Sequence, residues 1–107
     1  MAETPTINWE GKSGTKYNYW IYPFETTFND KKGANYVFAQ ETTTGSYKPI
    51  YIGQTGDLSE RFDNHHKMPC IKRNNATHIH VHLTSSEQNR FAEETDLLQR
   101  WNTPCND

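Results

Sequence analysis

The sequence predicts a small α+β domain, in which a mainly antiparallel β-sheet is flanked by helices. Strand-type segments rich in aromatic and β-branched residues recur along the chain, and a glycine-containing loop joins two of them as in a hairpin. A helical periodicity follows near the C-terminus. The 107 residues are enough for one hydrophobic core of ordinary size.

Four segments have strand character, namely residues 16–23, 35–40, 50–53 and 77–83. The first alternates and is ended by Pro23, whereas the second is apolar on both sides, which predicts a central strand. The short loop around Gly45 predicts that the second and third segments pair as an antiparallel hairpin.

The fourth segment alternates strictly between apolar and imidazole side chains. The apolar ones are Ile79, Val81 and Leu83, and the imidazoles are His78, His80 and His82. Imidazole is a common zinc ligand, but same-face side chains of one strand point in parallel, about 6.5–7 Å apart. A polar or half-exposed sheet face is therefore preferred to a zinc site.

A first helix is predicted from Asp57, whose carboxylate can accept hydrogen bonds from first-turn amides. Glu60 completes a capping-box-like pattern, and the helix would carry Leu58 and Phe62 on one face and end near His66. The residues that follow predict a long irregular connection, marked by Pro69, Asn74 and Asn75.

The last helix is predicted to begin at Ser85 or Ser86 and to be ended by Pro104. Its apolar stripe consists of Phe91, Leu97, Leu98 and Trp101. The spacing places Glu94 on this stripe, whereas Glu87 and Glu93 lean away from it. Because burying a charge is costly unless it is paired or bound to a metal, Glu94 is a structural ion-pair member, a rim residue or a metal ligand.

The composition argues against disorder, since thirteen acidic residues oppose eleven basic ones and aromatic side chains are plentiful. The net charge of −2 lacks the basic excess typical of nucleic-acid binders, so nucleic-acid binding would need a local basic face. Lys67, Lys72 and Arg73 are the candidates for such a face. A solvated loop is the alternative interpretation.

No apolar run is long enough to cross a bilayer, and the N-terminal residues lack the pattern of a signal peptide. We therefore expect a cytoplasmic protein with no membrane partner. Because thiols stay reduced in the cytoplasm, Cys70 and Cys105 are expected to be free, although the two could pair in principle.

Several of these pieces occur in an order that resembles the GIY-YIG nuclease family. The first motif appears as Ala34-Asn35-Tyr36 and the second as Tyr51-Ile52-Gly53. Arg61 follows Gly53 at the family's spacing, and His65 falls where members carry a histidine or tyrosine. Residues 90–98 resemble the second-helix pattern, with Glu94 as the metal-binding glutamate, and residues 103–106 resemble the closing motif that ends in Asn106.

The resemblance covers roughly residues 33–107 and has departures. The first motif keeps only its tyrosine, and Gln54 stands where some members have a lysine. The resemblance implies a nuclease-like domain over residues 31–107 with a three-stranded core, preceded by an extension over residues 1–30 that adds one strand. Aromatic residues of the extension could stack on bases, but filling a core is the preferred role; they are Trp9, Tyr17, Tyr19 and Trp20.

The resemblance implies an endonuclease that hydrolyses phosphodiester bonds, with DNA as the expected substrate and one Mg²⁺ or Mn²⁺ held by Glu94. Tyr36 would act as general base with support from Tyr51, Arg61 would clamp the phosphate, and His65 would orient a tyrosine or relay a proton. Gly53 and Asn106 would support the site.

Arg61 and His65 lie four residues apart, so one helix face would carry both, and an exposed polar face is the alternative to phosphate binding. The alternative to an enzyme is a catalytically weak or inactive module that binds nucleic acid or protein. Specificity could come from a partner protein or a homodimer. DNA against RNA stays open.

Overall fold

The computed structural model describes residues 4–60, 62 and 65–106. Within them the chain forms one antiparallel sheet of five strands and two α-helices, which confirms the predicted α+β class. The elements are β1 Thr6–Glu10, β2 Lys16–Pro23, β3 Ala34–Thr43, β4 Ser46–Thr55, α1 Met68–Arg73, β5 His78–Leu83 and α2 Glu87–Arg100.

The strand order is β1-β2-β5-β3-β4, so β3 lies between β5 and β4. Tyr36 is opposite Gly53 on one side and opposite Val81 on the other. The predicted hairpin of β3 and β4 is confirmed, and Gly45 in its turn has a φ of 82°, a conformation that favours glycine. The central position of β3 explains why its first half is apolar on both faces.

The two faces of the sheet are covered by different helices. Tyr36 and Phe38 of β3 point to the face covered by α1, where they pack with Ile71. Val37 and Ala39 point to the opposite face and pack with Leu97 of α2. The alternation of β3 therefore assigns Tyr36 to the α1 face of the sheet.

The N-terminal segment contributes two strands, one more than predicted. Trp9 of β1 and Tyr19 of β2 are buried in the core under α2. The indole Nε1 of Trp9 donates a hydrogen bond of 2.9 Å to Nδ1 of His80. These two aromatic side chains therefore fill the core, whereas Trp20 is 40% exposed.

The helix predicted from Asp57 to His66 is wrong, because the described residues of this stretch form turns. The Asp57 carboxylate does accept an amide hydrogen bond, but from Ser59 only two residues on, at 2.9 Å. This local turn satisfies the capping group without starting a helix. The helix α1 begins at Met68 with Pro69 in its first turn, where the predicted irregular connection should lie.

The last helix begins as predicted, since the Ser86 side chain accepts a hydrogen bond from the Asn89 amide at 3.2 Å. Two details of its predicted faces are wrong. Phe91 is 49% exposed, and Glu93 is only 4% exposed instead of leaning away. Glu93 is drawn inward because Tyr19 and His82 both donate hydrogen bonds to its carboxylate.

The prediction of free cysteines is wrong, because Cys70 and Cys105 form a disulfide. The chain after α2 folds back along β4, with the Cys105 amide donating to the Ile50 carbonyl at 3.1 Å. This brings Cys105 beneath α1, which carries Cys70. Among the described residues, neither helix is long and apolar enough to traverse a membrane.

The buried His80 predicts an acid-sensitive fold. Burial, helped by the charge of His78, lowers the pKa of His80 to about 3. The unfolded chain therefore binds a proton near pH 6.5 that the folded protein refuses, and stability falls as the pH drops below that value. Between pH 6.5 and pH 5 the loss should be about 1–2 kcal/mol, measured by urea unfolding.

The matched variant is His80→Gln, which keeps an acceptor for Trp9 but cannot titrate. The difference between the two proteins isolates His80 from His65, whose pKa is also lowered, and from His82, whose pKa is raised by its bond to Glu93. If both proteins lose the same stability over this pH range, His80 is not the group responsible.

Candidate active site

The α1 face of the sheet carries a compact cluster of phenol and imidazole groups. The Tyr36 hydroxyl lies 2.8 Å from Nε2 of His65. The rings of Tyr36 and Tyr51 stack with their centroids 6.1 Å apart, and the ring of Tyr51 meets that of His65 edge to face at 4.8 Å. The structure thus brings together three of the predicted site residues.

The protonation of His65 follows from its two contacts. The backbone amide of Lys67 donates to Nδ1 at 3.0 Å, so in the neutral ring the proton sits on Nε2. Nε2 then donates to the Tyr36 hydroxyl oxygen. Burial, with the charges of His66 and Lys67, lowers the pKa of His65 to about 4, so this neutral form prevails at neutral pH.

Gly53 makes room for both tyrosines. A Cβ at this position would lie 2.7 Å from Cε1 of Tyr51 and 2.8 Å from Cζ and the hydroxyl oxygen of Tyr36. Gly53 is directly opposite Tyr36 in the sheet, so the tyrosine ring lies across its backbone. A glycine at the end of the second motif is therefore a packing requirement of this site.

Replacing Gly53 by alanine should destabilise the protein by about 1–3 kcal/mol, because both tyrosine rings must move away from the new methyl group. Urea unfolding measures the loss. Gly56→Ala is the matched control, since the nearest atom to its Cβ, Nη2 of Arg90, is 3.8 Å away. Equal stability of the two alanine variants would show that the rings yield without cost.

Glu94 is a half-buried carboxylate on α2 whose pKa is raised by burial. Its charge also raises the pKa of Tyr36 and of Tyr51, in both cases after burial itself, so the carboxylate lies near both phenols. Among the described residues it has no basic partner. A carboxylate held near polar groups without a cation fits a site for a hard divalent ion.

Glu94 is the one acidic ligand that the described residues offer at this point, since they contain no group of three or more side chains placed to bind a metal. Mg²⁺ needs only one or two carboxylates, with water and substrate phosphate completing its coordination. The predicted ligand therefore fits the predicted ion. Arg61, the predicted phosphate clamp, lies outside the described residues.

Two residues that depart from the family pattern bind the same residue of α2. The Asn35 side chain donates to the Arg90 carbonyl at 2.9 Å, and the Arg90 Nε donates to the Gln54 side chain at 3.0 Å. Arg90 lies one helical turn before Glu94 and is only 6% exposed. Asn35 and Gln54 thus fix the helix that carries Glu94, a role that their positions in sequence did not reveal.

A second buried cluster lies on the α2 face. The hydroxyl of Tyr19 and Nδ1 of His82 both donate to the Glu93 carboxylate, the latter at 3.0 Å. Burial and the charge of Glu93 raise the pKa of Tyr19, so it stays a donor. Sequence reasoning missed these residues because Tyr19 and Glu93 are 74 positions apart.

Asn106 holds the chain after α2 against the second motif. Its side-chain oxygen accepts from the Ile52 amide and its side-chain nitrogen donates to the Ile52 carbonyl, both at 2.8 Å. The Thr103 hydroxyl donates to the same oxygen at 2.6 Å. Ile52 lies between Tyr51 and Gly53, so Asn106 fixes the strand segment that carries the candidate site.

The three predicted basic residues lie on or beside α1. Lys67 caps the helix, and Lys72 and Arg73 are exposed in its last turn. Comparison of the chain with models of protein families, with curated proteins and with solved structures finds no match. Chemically, the cluster offers a carboxylate for a hard cation, two phenols for proton transfer and a neutral imidazole donor, with basic side chains on the adjoining helix.

Proposed function

We propose that this chain is a metal-dependent endonuclease of the GIY-YIG type, which hydrolyses phosphodiester bonds of nucleic acid, with DNA as the expected substrate. One observation carries the proposal. Two phenols, an imidazole and an unpaired carboxylate, far apart in sequence, meet around Gly53 in the order expected for a nuclease of this family. The basic turn of α1 would contact the phosphate backbone.

Glu94 is the residue that would hold the divalent ion. A bound Mg²⁺ or Mn²⁺ would supply Lewis-acid stabilisation of the negative charge that develops on the phosphate oxygens. Glu94 is suited to this role because burial raises its pKa, and a nearby cation offsets the cost of its charge. Arg61 is assigned by resemblance to clamp the same phosphate.

The phenols divide the proton transfer according to their exposure. Tyr36 is 4% exposed, whereas Tyr51 is half-buried and is the phenol that water can reach. We assign Tyr51 to contact the attacking water, and Tyr36 to share its proton while His65 donates to the Tyr36 oxygen. When Glu94 holds a cation, the negative charge that raises the pKa of both phenols is neutralised, which makes each a better base.

The alternative is a catalytically weak or inactive module of the same fold that binds nucleic acid or protein. One observation favours it. Burial and the charge of Glu94 raise the pKa of Tyr51, and burial does the same for Tyr36, so without a cation neither phenol is a base at neutral pH. The cytoplasmic location likewise remains a proposal.

The experiment is incubation of the purified protein with branched, single-stranded and duplex DNA and with structured RNA, in Mg²⁺, in Mn²⁺ and in a chelator. Cleavage is expected with either metal and not with the chelator. Cleavage that persists in a Glu94→Ala preparation would indicate a contaminating nuclease or a wrong ligand assignment. Binding that weakens steeply with salt, with no cleavage of any substrate, would favour the inactive module.

A further inference from the structure

A small cavity beside the candidate active site has no role in the proposed mechanism. It has a volume of about 230 Å³ and lies between the segment after β2 and the turns that precede α1. Its walls are largely apolar and include the rings of Phe24, Phe28 and Phe62. Two carboxylates, Glu25 and Glu60, and the ammonium group of Lys72 also line it.

Only one aromatic ring separates this cavity from the candidate catalytic tyrosine. The ring of Phe62 lines the cavity and meets the ring of Tyr36 edge to face, with centroids 4.9 Å apart. Glu60, also on the lining, is close enough for its charge to act on the Tyr36 hydroxyl. A group held in the cavity would therefore lie next to the bond that Tyr36 and Tyr51 attack.

The size and lining select the kind of ligand. The volume is below the range of about 300–1,000 Å³ typical of drug-sized ligands, so the cavity suits one flat ring system. Phenylalanine rings stack on nucleobases of any sequence. The carboxylates add selectivity, because they accept hydrogen bonds from the exocyclic amino groups of cytosine, adenine and guanine but find no such donor on thymine.

We infer that this cavity receives an unstacked nucleobase with an exocyclic amino group, and that Lys72 at its wall meets the phosphate of the same nucleotide. The inference rests on the proposed nuclease function, since it places the base beside the phosphodiester to be cut. Enzymes that act within a strand gain selectivity by reading an extruded base in such a pocket. Single-stranded or distorted substrates are therefore preferred to intact duplex.

The test is binding of fluorescein-labelled single-stranded oligomers of cytosine and of thymine, by fluorescence anisotropy in a chelator so that no cleavage occurs. The cytosine oligomer is expected to bind several-fold more tightly than the thymine oligomer. Phe28→Ala should weaken cytosine binding about tenfold. Replacing both Glu25 and Glu60 by methionine should bring the ratio of the two affinities close to one, because methionine has a similar length and no strong acceptor.

Two further variants separate a base site from loss of folding or general stickiness. Thr26→Trp fills the cavity without removing a wall, and should weaken cytosine binding as much as Phe28→Ala does while leaving the melting temperature unchanged. Trp20→Ala is the matched control, since Trp20 is an exposed aromatic residue that does not line the cavity. Its affinity for the cytosine oligomer should equal that of the wild type.

Equal affinity of the wild type for the two oligomers would overturn the inference, and so would full binding by Thr26→Trp. A loss in Trp20→Ala as large as in Phe28→Ala would also overturn it. Normal metal-dependent cleavage by Thr26→Trp would reject the base site and leave the nuclease proposal standing. The expected base preference in a protein that cleaves nothing would support the base site and reject the hydrolytic assignment.

Discussion

Glu94→Gln is expected to lower metal-dependent cleavage about a thousandfold, on the scale of losing a principal group that stabilises transition-state charge. The amide cannot hold a divalent ion as the carboxylate would. The fold should be unharmed at neutral pH, because burial raises the pKa of Glu94 and a neutral side chain escapes that cost. The rate is measured under single-turnover conditions, and the stability by urea unfolding.

The matched control for this prediction is the neighbouring carboxylate. Glu93→Gln should lose about 1–3 kcal/mol of stability, because Tyr19 and His82 would donate to a weaker acceptor in a buried site. Its cleavage rate per folded molecule should stay near that of the wild type. If Glu94→Gln cleaves at the wild-type rate, or if Glu93→Gln fails equally in cleavage while folded, the assignment of the metal ligand is wrong.

Reduction of the Cys70–Cys105 disulfide is expected to lower the free energy of unfolding by about 3–4 kcal/mol, because a bond that spans 35 residues restricts the unfolded chain. Urea unfolding with and without a thiol reductant measures the loss. The double variant Cys70→Ser and Cys105→Ser should match the reduced protein and be indifferent to reductant. Two titratable thiols in the native protein, purified without reductant, would contradict the bond itself.

The disulfide also bears on where the protein works. Such bonds persist in oxidising compartments and are rare in the cytoplasm. The expected cytoplasmic location and the expected stability gain therefore cannot both apply to the same molecule. Measuring the redox state of Cys70 and Cys105 in cells, by trapping free thiols before lysis, decides which one holds.

Local alternation was the part of the fold that the sequence predicted well. The alternation from His78 to Leu83 gives the correct strand and the correct two faces, because a strand has an unambiguous period of two. A helix is less decisive. Glu93 and Glu94 are adjacent on α2, and a stripe that includes Phe91 favours the second, but the long-range donors Tyr19 and His82 bury the first.

Features that depend on distant partners were beyond the sequence. Asp57 has the chemistry of a helix cap, but Ser59 satisfies it in a turn, and a cap alone does not select between turn and helix. The cysteine spacing gives no sign that the Cα atoms come within 5.8 Å. Of the candidate site, the motif spacing predicted the meeting of Tyr36, Tyr51 and His65, but not the support that Arg90 receives from Asn35 and Gln54.

The amide of Asn106 has a consequence for self-association. Strand β4 is the outermost strand at one edge of the sheet, where main-chain groups are normally open to pairing with another molecule. The Asn106 side chain occupies both main-chain groups of Ile52, and the Cys105 amide occupies the Ile50 carbonyl. Intermolecular sheet growth is thereby blocked at the edge beside Tyr51, and any strand-mediated oligomer would have to form through β1 at the opposite edge.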